Sequence, residues 1–343
     1  MSRQDKKQMK KHHHNIPFFV PHAGCPCLCV YCSQGKITGK GDKERDIDIE
    51  VSELRQLLDS AVPDTENQLA FFGGSFTAIE PSRRLTLLSV AHEYIQKGVI
   101  GSIRLSTRPD CIDKQILDEL HEFGVTSIEL GVQSIDDRVL ALSGRGCTAE
   151  DCKKGCLAVS KDGRFVLGGQ MMVGLPGADA ESEINAARAI VEYGALEARI
   201  YPTAVFCDTE LYDMTERGEY IPLGLEDAVE RSALCAEVFI NAGVRLLRTG
   251  LHSSPELKEA PFGANHPAIG ELVMGRVYRH RLQSILDGGA YDRICITLPR
   301  GDISKLTGHG GGTLEFLKNT YHLSSIRVRE GDLPYMTTKV EEE

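Results

Sequence analysis

Ile16-Pro17-Phe18-Phe19-Val20-Pro21-His22-Ala23-Gly24-Cys25-Pro26-Cys27-Leu28-Cys29-Val30-Tyr31-Cys32 runs from an apolar segment of strand length straight into a loop crowded with cysteines. Cys25, Cys29 and Cys32 have the spacing C-x3-C-x2-C. Three thiolates on one short loop can hold three irons of a 4Fe-4S cluster and leave the fourth iron open, whereas an electron-transfer cluster normally takes four cysteines. Zinc competes for the same donors, but its closed sites usually need a second C-x2-4-C pair, and none follows in this loop. Cys27 adds C-x-C and C-x-C-x2-C subpatterns, and spacing alone leaves it open as a ligand.

Outward from this loop, apolar runs of strand length alternate with longer segments of helical period. After Ile16 to Pro21 the strands are expected at Gln68 to Phe72, Ser102 to Ser106, Ser127 to Val132, Phe165 to Val173 and Ala198 to Thr203, with one more at Val244 to Arg248. Helices are expected at Asp48 to Ala61, Pro81 to Gln96, Asp113 to Glu122, Ala149 to Val159, Ala180 to Tyr193 and Leu225 to Asn241. Successive βα units predict an α/β fold, a partial or full (β/α) barrel, whose chemistry gathers at the C-terminal strand ends. The unusual residues fall there: the cysteine loop after the first strand, Gly73-Gly74-Ser75 after the second, Thr107-Arg108-Pro109-Asp110 after the third. Gly131-Val132-Gln133-Ser134 and Gly174-Leu175-Pro176-Gly177 follow at the fourth and fifth, and Pro202-Thr203 at the sixth.

Three regions are expected: a basic, disordered tail over 1–15, the barrel over 16–254 and a small C-terminal α/β appendage over 255–343. The appendage should contain a helix from Ile269 to Ile285, strands at Arg293 to Thr297 and Ser325 to Val328, and a helix from Thr313 to Tyr321. Its run Gly308-His309-Gly310-Gly311-Gly312 lacks the Lys-Ser/Thr of a P-loop and reads as a flexible turn. Lys339 to Glu343 should fray.

A chain of 343 residues with 41% hydrophobic residues and no extended apolar run carries no expected membrane span. A polar, basic start argues against export and for a cytoplasmic protein, where eleven cysteines are ligands or buried thiols rather than disulfides. Cys147, Cys152 and Cys156 could form a second metal site; small apolar residues on a helix face are the plainer reading. The net charge of −10 opposes non-specific contact with polyanions. Two basic stretches run the other way: Arg3, Lys6, Lys7, Lys10 and Lys11 in the tail, and Arg276, Arg279 and Arg281 around His280, the latter read first as solvated arginines on a helix face.

Together, the cysteine loop after strand one and the glycine pair after strand two resemble the radical S-adenosylmethionine (SAM) enzymes. That resemblance implies a 4Fe-4S cluster on Cys25, Cys29 and Cys32, with SAM chelated to the open iron. Tyr31 matches an aromatic position near adenine, and Gly73, Gly74 and Ser75 match the motif that receives the SAM ammonium, with Ser75 standing where many members have glutamate. Ser106, Arg108, Glu129 and Gln133 match the motifs that reach the SAM carboxylate and ribose, Arg108 being suited to a carboxylate. Met172 and Gly174 match the strand-five motif that packs on adenine. A narrower likeness, over Ile16 to Leu251, is to the catalytic subunit of Elongator and its short bacterial relatives.

The narrower likeness implies modification of the wobble uridine of tRNA, but the segment after Leu251 is too short for an acetyltransferase fold. Cys27 stands where relatives commonly carry histidine and reads as a bystander. The expected reaction is reductive cleavage of SAM to a 5′-deoxyadenosyl radical, driven by a reductant such as ferredoxin or flavodoxin, with tRNA as the substrate class suggested by kinship. A small molecule or peptide is the rival substrate, and a metal-binding or sensor protein the rival class. No catalytic acid, base or second radical carrier is assigned; Tyr201, Cys207 and His252 are candidates whose plainer reading is buried packing.

Overall fold

The computed structural model describes residues 14–20, 29–32, 46–64, 66–252, 255–307 and 312–343. Cys25, Cys27, the basic stretch of the tail and Gly308 to Gly311 lie outside the described residues. Strands β1 (His14–Val20), β2 (Asn67–Gly73), β3 (Ser102–Thr107), β4 (Val125–Gln133), β5 (Val166–Val173) and β6 (Glu197–Pro202) follow in sequence, separated by helices. A short β7 (Ala204–Val205), β8 (Arg245–Thr249), a short β9 (Phe262–Gly263), β10 (Arg293–Pro299), β11 (Ser325–Gly331) and β12 (Lys339–Glu342) complete the set. The main sheet has seven strands in the order β1-β2-β3-β4-β5-β6-β8. Its edges are β1 and β8, so the expected barrel is a partial one.

Parallel register explains why the motifs share one end. Val20 pairs with Gly73, Phe71 with Leu105 and Thr107 with Leu130, so the chain leaves β1 to β4 toward the same side. β4 is buried along almost its whole length, Val125 through Val132, apart from Thr126, the unbroken pattern of a parallel strand covered on both faces. Local signals agree with the pairing. Pro81 opens the helix Pro81–Gln96, and Thr148 and Asp151 close a capping box on the helix Ala149–Asp162.

The chain divides into two compact units, residues 1–170 with 192–197, and residues 171–191 with 198–343. In the second unit β10 lies between β11, which is parallel to it, and β12, which is antiparallel. Lys339 to Glu342 were expected to fray, yet they form β12, with Ile296 paired to Val340 and Ile294 to Glu342. Backbone hydrogen bonds suffice for an edge strand, and charged side chains are what such edges carry.

The basic stretch on the helix Ile269–Leu286 is not a free patch. Arg276 is ion-paired to Glu226 and Glu230 on the helix Leu225–Asn241, and Arg281 donates to Asn241 Oδ1 and to the Met336 carbonyl. The Arg279 guanidinium lies 4.2 Å from the centre of the Phe316 ring, a cation–π contact. No helix among the described residues is long and apolar enough to cross a membrane.

Candidate cofactor site

The described part of the cysteine loop is a tight turn. Cys32 N donates to Cys29 O at 3.0 Å, and Val30 N donates to Ser143 O at 3.0 Å, which ties the loop to the end of the helix Asp137–Leu142. Residues at the two ends of such a turn lie within about 7 Å of each other, so Cys29 and Cys32 share one locality. Cys29 is buried, and Arg145 Nη1 approaches its Sγ at 3.7 Å.

Next to the loop, Gly73 sits at φ 114°, and a Cβ there would lie 2.4 Å from Val20 O. Only glycine satisfies both the dihedral and the close approach. Gly74 N also reaches Val20 O, at 3.4 Å. Ser75 is buried, and Phe76 stacks on Phe71 at 4.5 Å between ring centroids. The turn is then tied to the loop after β3. Thr77 Oγ1 lies 2.6 Å from Thr107 Oγ1 and donates to Cys111 O at 2.8 Å, while Arg84 Nη1 donates to Thr77 O at 2.9 Å.

Arg108 is buried, with its fork closed on Asp110 through Nε–Oδ1 at 2.9 Å and Nη2–Oδ2 at 2.7 Å. Its third donor, Nη1, meets the carbonyl of Arg145 at 2.9 Å. Arg145 is the residue that the sequence reading missed. It is 6% exposed, donates through Nη2 to Gly131 O, and has no carboxylate partner among the described residues. Burial works against its charge, yet the Tyr31 hydroxyl and the Cys29 thiol beside it hold its pKa above the ordinary guanidinium value. Burial also raises the Tyr31 pKa.

Gln133 ends β4 in the left-handed region, at φ 66°, a costly conformation for a residue with a side chain. A Cβ on Gly131 would come 2.9 Å from Gln133 Nε2 and 3.1 Å from Arg145 Nη2, so the two side chains converge over Gly131. Both are left incomplete: Gln133 Oε1 and Arg145 Nε are buried without a hydrogen-bond partner. Such orphaned polar atoms call for a ligand. Two loop thiols, a buried cation without a carboxylate and an unsatisfied amide fit an iron–sulfur cluster and a zwitterionic amino-acid group.

Ser106 and Glu129 belong to another network in the same unit. Glu129 Oε1 accepts from Arg104 at 3.0 Å and Oε2 from Gln170 at 2.8 Å, and Gln170 also reaches Ser106 Oγ at 3.4 Å. In the second unit the strand-five turn is pinned by residues the sequence reading did not single out. Gly174 N donates to Glu183 Oε1 at 2.6 Å, Tyr220 Oη donates to Gly174 O at 2.5 Å, and Thr203 Oγ1 donates to Val173 O at 2.8 Å. Glu183 is held in turn by a bidentate pair with Arg231, while burial raises its pKa. Met172 on β5 is half-buried. Cys207 and His252 are exposed and Tyr201 half-buried, so none is the buried packing residue expected.

The Radical SAM superfamily matches residues 19–190, half of the chain, and the Radical SAM C-terminal domain matches residues 197–279. The chain belongs to the radical SAM superfamily. Radical SAM enzymes use a 4Fe-4S cluster and SAM, and the donor set described above is suited to both. A tRNA uridine(34) acetyltransferase of Methanocaldococcus jannaschii is 36% identical over 187 residues, which are 52% of this chain and 33% of that protein. Elongator complex protein 3 of Homo sapiens is 33% identical over 179 residues, 51% of this chain and 32% of that protein. This radical SAM chain thus spans about a third of the length of these curated relatives. Its fold is similar to that of the archaeal Elp3 of Methanocaldococcus infernus, with a TM-score of 0.59 at 22% identity, covering 79% of this chain and 63% of that one.

Proposed function

We propose that the chain cleaves SAM reductively and uses the product radical to abstract hydrogen from tRNA, at the wobble uridine. The observation that carries the SAM reading is Arg145, a buried guanidinium beside Cys29 with no carboxylate partner among the described residues. Cys25, Cys29 and Cys32 hold the cluster, and Cys27 stays outside it. When bound, the cluster and SAM supply one-electron cleavage of a sulfonium C–S bond. Arg145 would take the SAM carboxylate, because a guanidinium that meets no carboxylate among the described residues gains most from one. Arg108, already spent on Asp110 and on the Arg145 carbonyl, holds Arg145 in position rather than meeting the ligand. Gln133 would offer its free amide oxygen to a ribose hydroxyl, the backbone of Gly73, Gly74 and Ser75 would receive the ammonium, and Tyr31 would stand by the adenine. Glu129 and Ser106 brace this end through Arg104 and Gln170.

Anaerobically reconstituted protein given dithionite and SAM should release 5′-deoxyadenosine. A filled cluster that yields none would sink the reading.

The tRNA assignment rests on kinship with relatives named for tRNA uridine modification. Arg276, Arg279 and Arg281 do not supply the binding surface, since their guanidiniums are taken up within the fold. A tRNA titration at rising salt should show affinity falling steeply, with Arg281→Gln leaving the slope unchanged. No binding at low salt would turn the search to small-molecule or peptide substrates.

A further inference from the structure

Arg145 is pinned at its backbone and at its head. Its N donates to Leu140 O at 3.0 Å, its carbonyl accepts from Arg108 Nη1 at 2.9 Å, and its Nη2 donates to Gly131 O. So held, the guanidinium meets sulfur: Nη1 donates to Cys29 Sγ at 3.7 Å. Nε has no hydrogen-bond partner, so the contact to sulfur leaves that nitrogen for the SAM carboxylate.

The surroundings make the contact electrically strong. Cys29 keeps 9% of its surface and Arg145 6%, and a charge kept out of water acts on its neighbours with little screening. The guanidinium meets no carboxylate among the described residues, whereas the neighbouring Arg108 closes its fork on Asp110. An iron-bound thiolate is a better acceptor for a charged donor than a thiol, so loading the loop strengthens this bond. Hydrogen bonds to the ligand sulfurs and the charge around them are among the levers that set the potential of an iron–sulfur cluster. The other buried thiols, Cys147, Cys152 and Cys156, assemble no group of three metal-binding side chains among the described residues, so they form no second metal centre there.

We propose that Arg145 sets the reduction potential of the cluster through Cys29, a role that rests on the cluster reading above and is separate from its hold on the SAM carboxylate. A low-potential one-electron donor protein gives up one electron and the cluster gains it, with no bond made and no proton taken up. The added negative charge spreads onto the ligand sulfurs, and the Nη1 hydrogen of Arg145 stabilises it at Cys29. The reduced form is favoured over the oxidised one, and the potential rises. Without that cation a donor of given strength reduces a smaller share of the protein.

The test is a potentiometric titration of the cluster-loaded full chain without SAM, under argon, poised with dithionite through redox mediators and followed by electron paramagnetic resonance of the reduced cluster. Iron and sulfide per chain are matched among the proteins first. Arg145→Met should disfavour reduction about tenfold or more, which lowers the midpoint by about 59 mV or more for one electron. Arg145→Lys, which keeps the charge and loses the planar fork, should lie between Arg145→Met and the wild type. A merely structural role predicts no such ranking by charge. Equal midpoints in the wild type and Arg145→Met overturn the proposal while leaving the cluster reading in place, and so does an Arg145→Lys midpoint as low as that of Arg145→Met. A wild-type chain that takes up no cluster overturns it together with the SAM reading. Where Arg145→Met holds no iron, Arg145→Gln against Arg145→Lys makes the same comparison, since both keep a donor and only the lysine keeps the charge.

Discussion

Two buried arginines in the same unit, Arg104 on β3 and Arg145 beyond β4, are used in opposite ways. Arg104, 3% exposed, donates to Gln68 Oε1 at 2.8 Å, Glu129 Oε1 at 3.0 Å and Glu197 Oε2 at 2.6 Å. Arg145, 6% exposed, has a carbonyl, a thiol and a tyrosine around it and no carboxylate among the described residues. A buried cation whose charge is matched from within the fold is architecture. One that meets no carboxylate among the described residues, with its own Nε and the neighbouring Gln133 Oε1 left without hydrogen-bond partners, is suited to an anion.

Removing the matched arginine should therefore cost the most. Arg104→Met leaves Glu129 and Glu197 buried without their shared partner, and breaking a buried pair from one side costs about 3–5 kcal/mol. Urea unfolding of Arg104→Met should show that loss, whereas Arg145→Met, which strands no carboxylate among the described residues, should move stability by about 1 kcal/mol or less. Equal losses would erase the distinction between the two residues.

The converse effect, smaller in free energy, concerns binding. Arg145→Gln keeps a donor but removes the charge, and a hydrogen bond to a charged group is worth about 1.5–3 kcal/mol. Equilibrium dialysis of SAM against cluster-loaded Arg145→Gln should show affinity weakened about tenfold to a hundredfold. Unchanged affinity would leave the carboxylate to another residue.

Neither arginine was legible in sequence, though much around them was, and the reason is distance along the chain. The partial barrel and the crowding of motifs at strand ends could be read because hydrophobic period and glycine pairs are local signals. Gly73 is such a case: its need for a positive φ and for contact with Val20 is met within two adjacent strands. Arg145 acquires its role only when the fold lays it against Cys29, 116 residues away. One local hint was present, since Gly144 and Gly146 flank it at φ 62° and 67°, a loop shaped to present one side chain. The pairing of Arg276 was hidden for a related reason. Its acids, Glu226 and Glu230, sit on a different helix, and no window along the sequence holds both halves.

That helix pair carries the smallest predicted effect, and it is one of pH. His280 Nδ1 lies 2.7 Å from Glu237 Oε1 and Nε2 lies 3.1 Å from Glu230 Oε1, and Glu230 is also paired with Arg276. The hydrogen bond to Glu237 raises the His280 pKa, opposed by burial and helped by the Glu230 charge. A raised pKa means that the folded state binds the proton more tightly than the unfolded chain. The resulting stability is therefore complete below the unfolded value of about 6.5 and is lost as pH climbs through the higher folded value. The imidazole keeps 21% of its side-chain surface, and the nearby Arg276 already neutralises part of Glu230, so the amplitude should be about 1 kcal/mol or less. Unfolding midpoints measured from pH 6 upward should decline for the wild type and stay flatter for His280→Gln. Parallel curves would place His280 with Arg279, whose guanidinium rests on the Phe316 ring, as a residue that packs the helix without answering to protons.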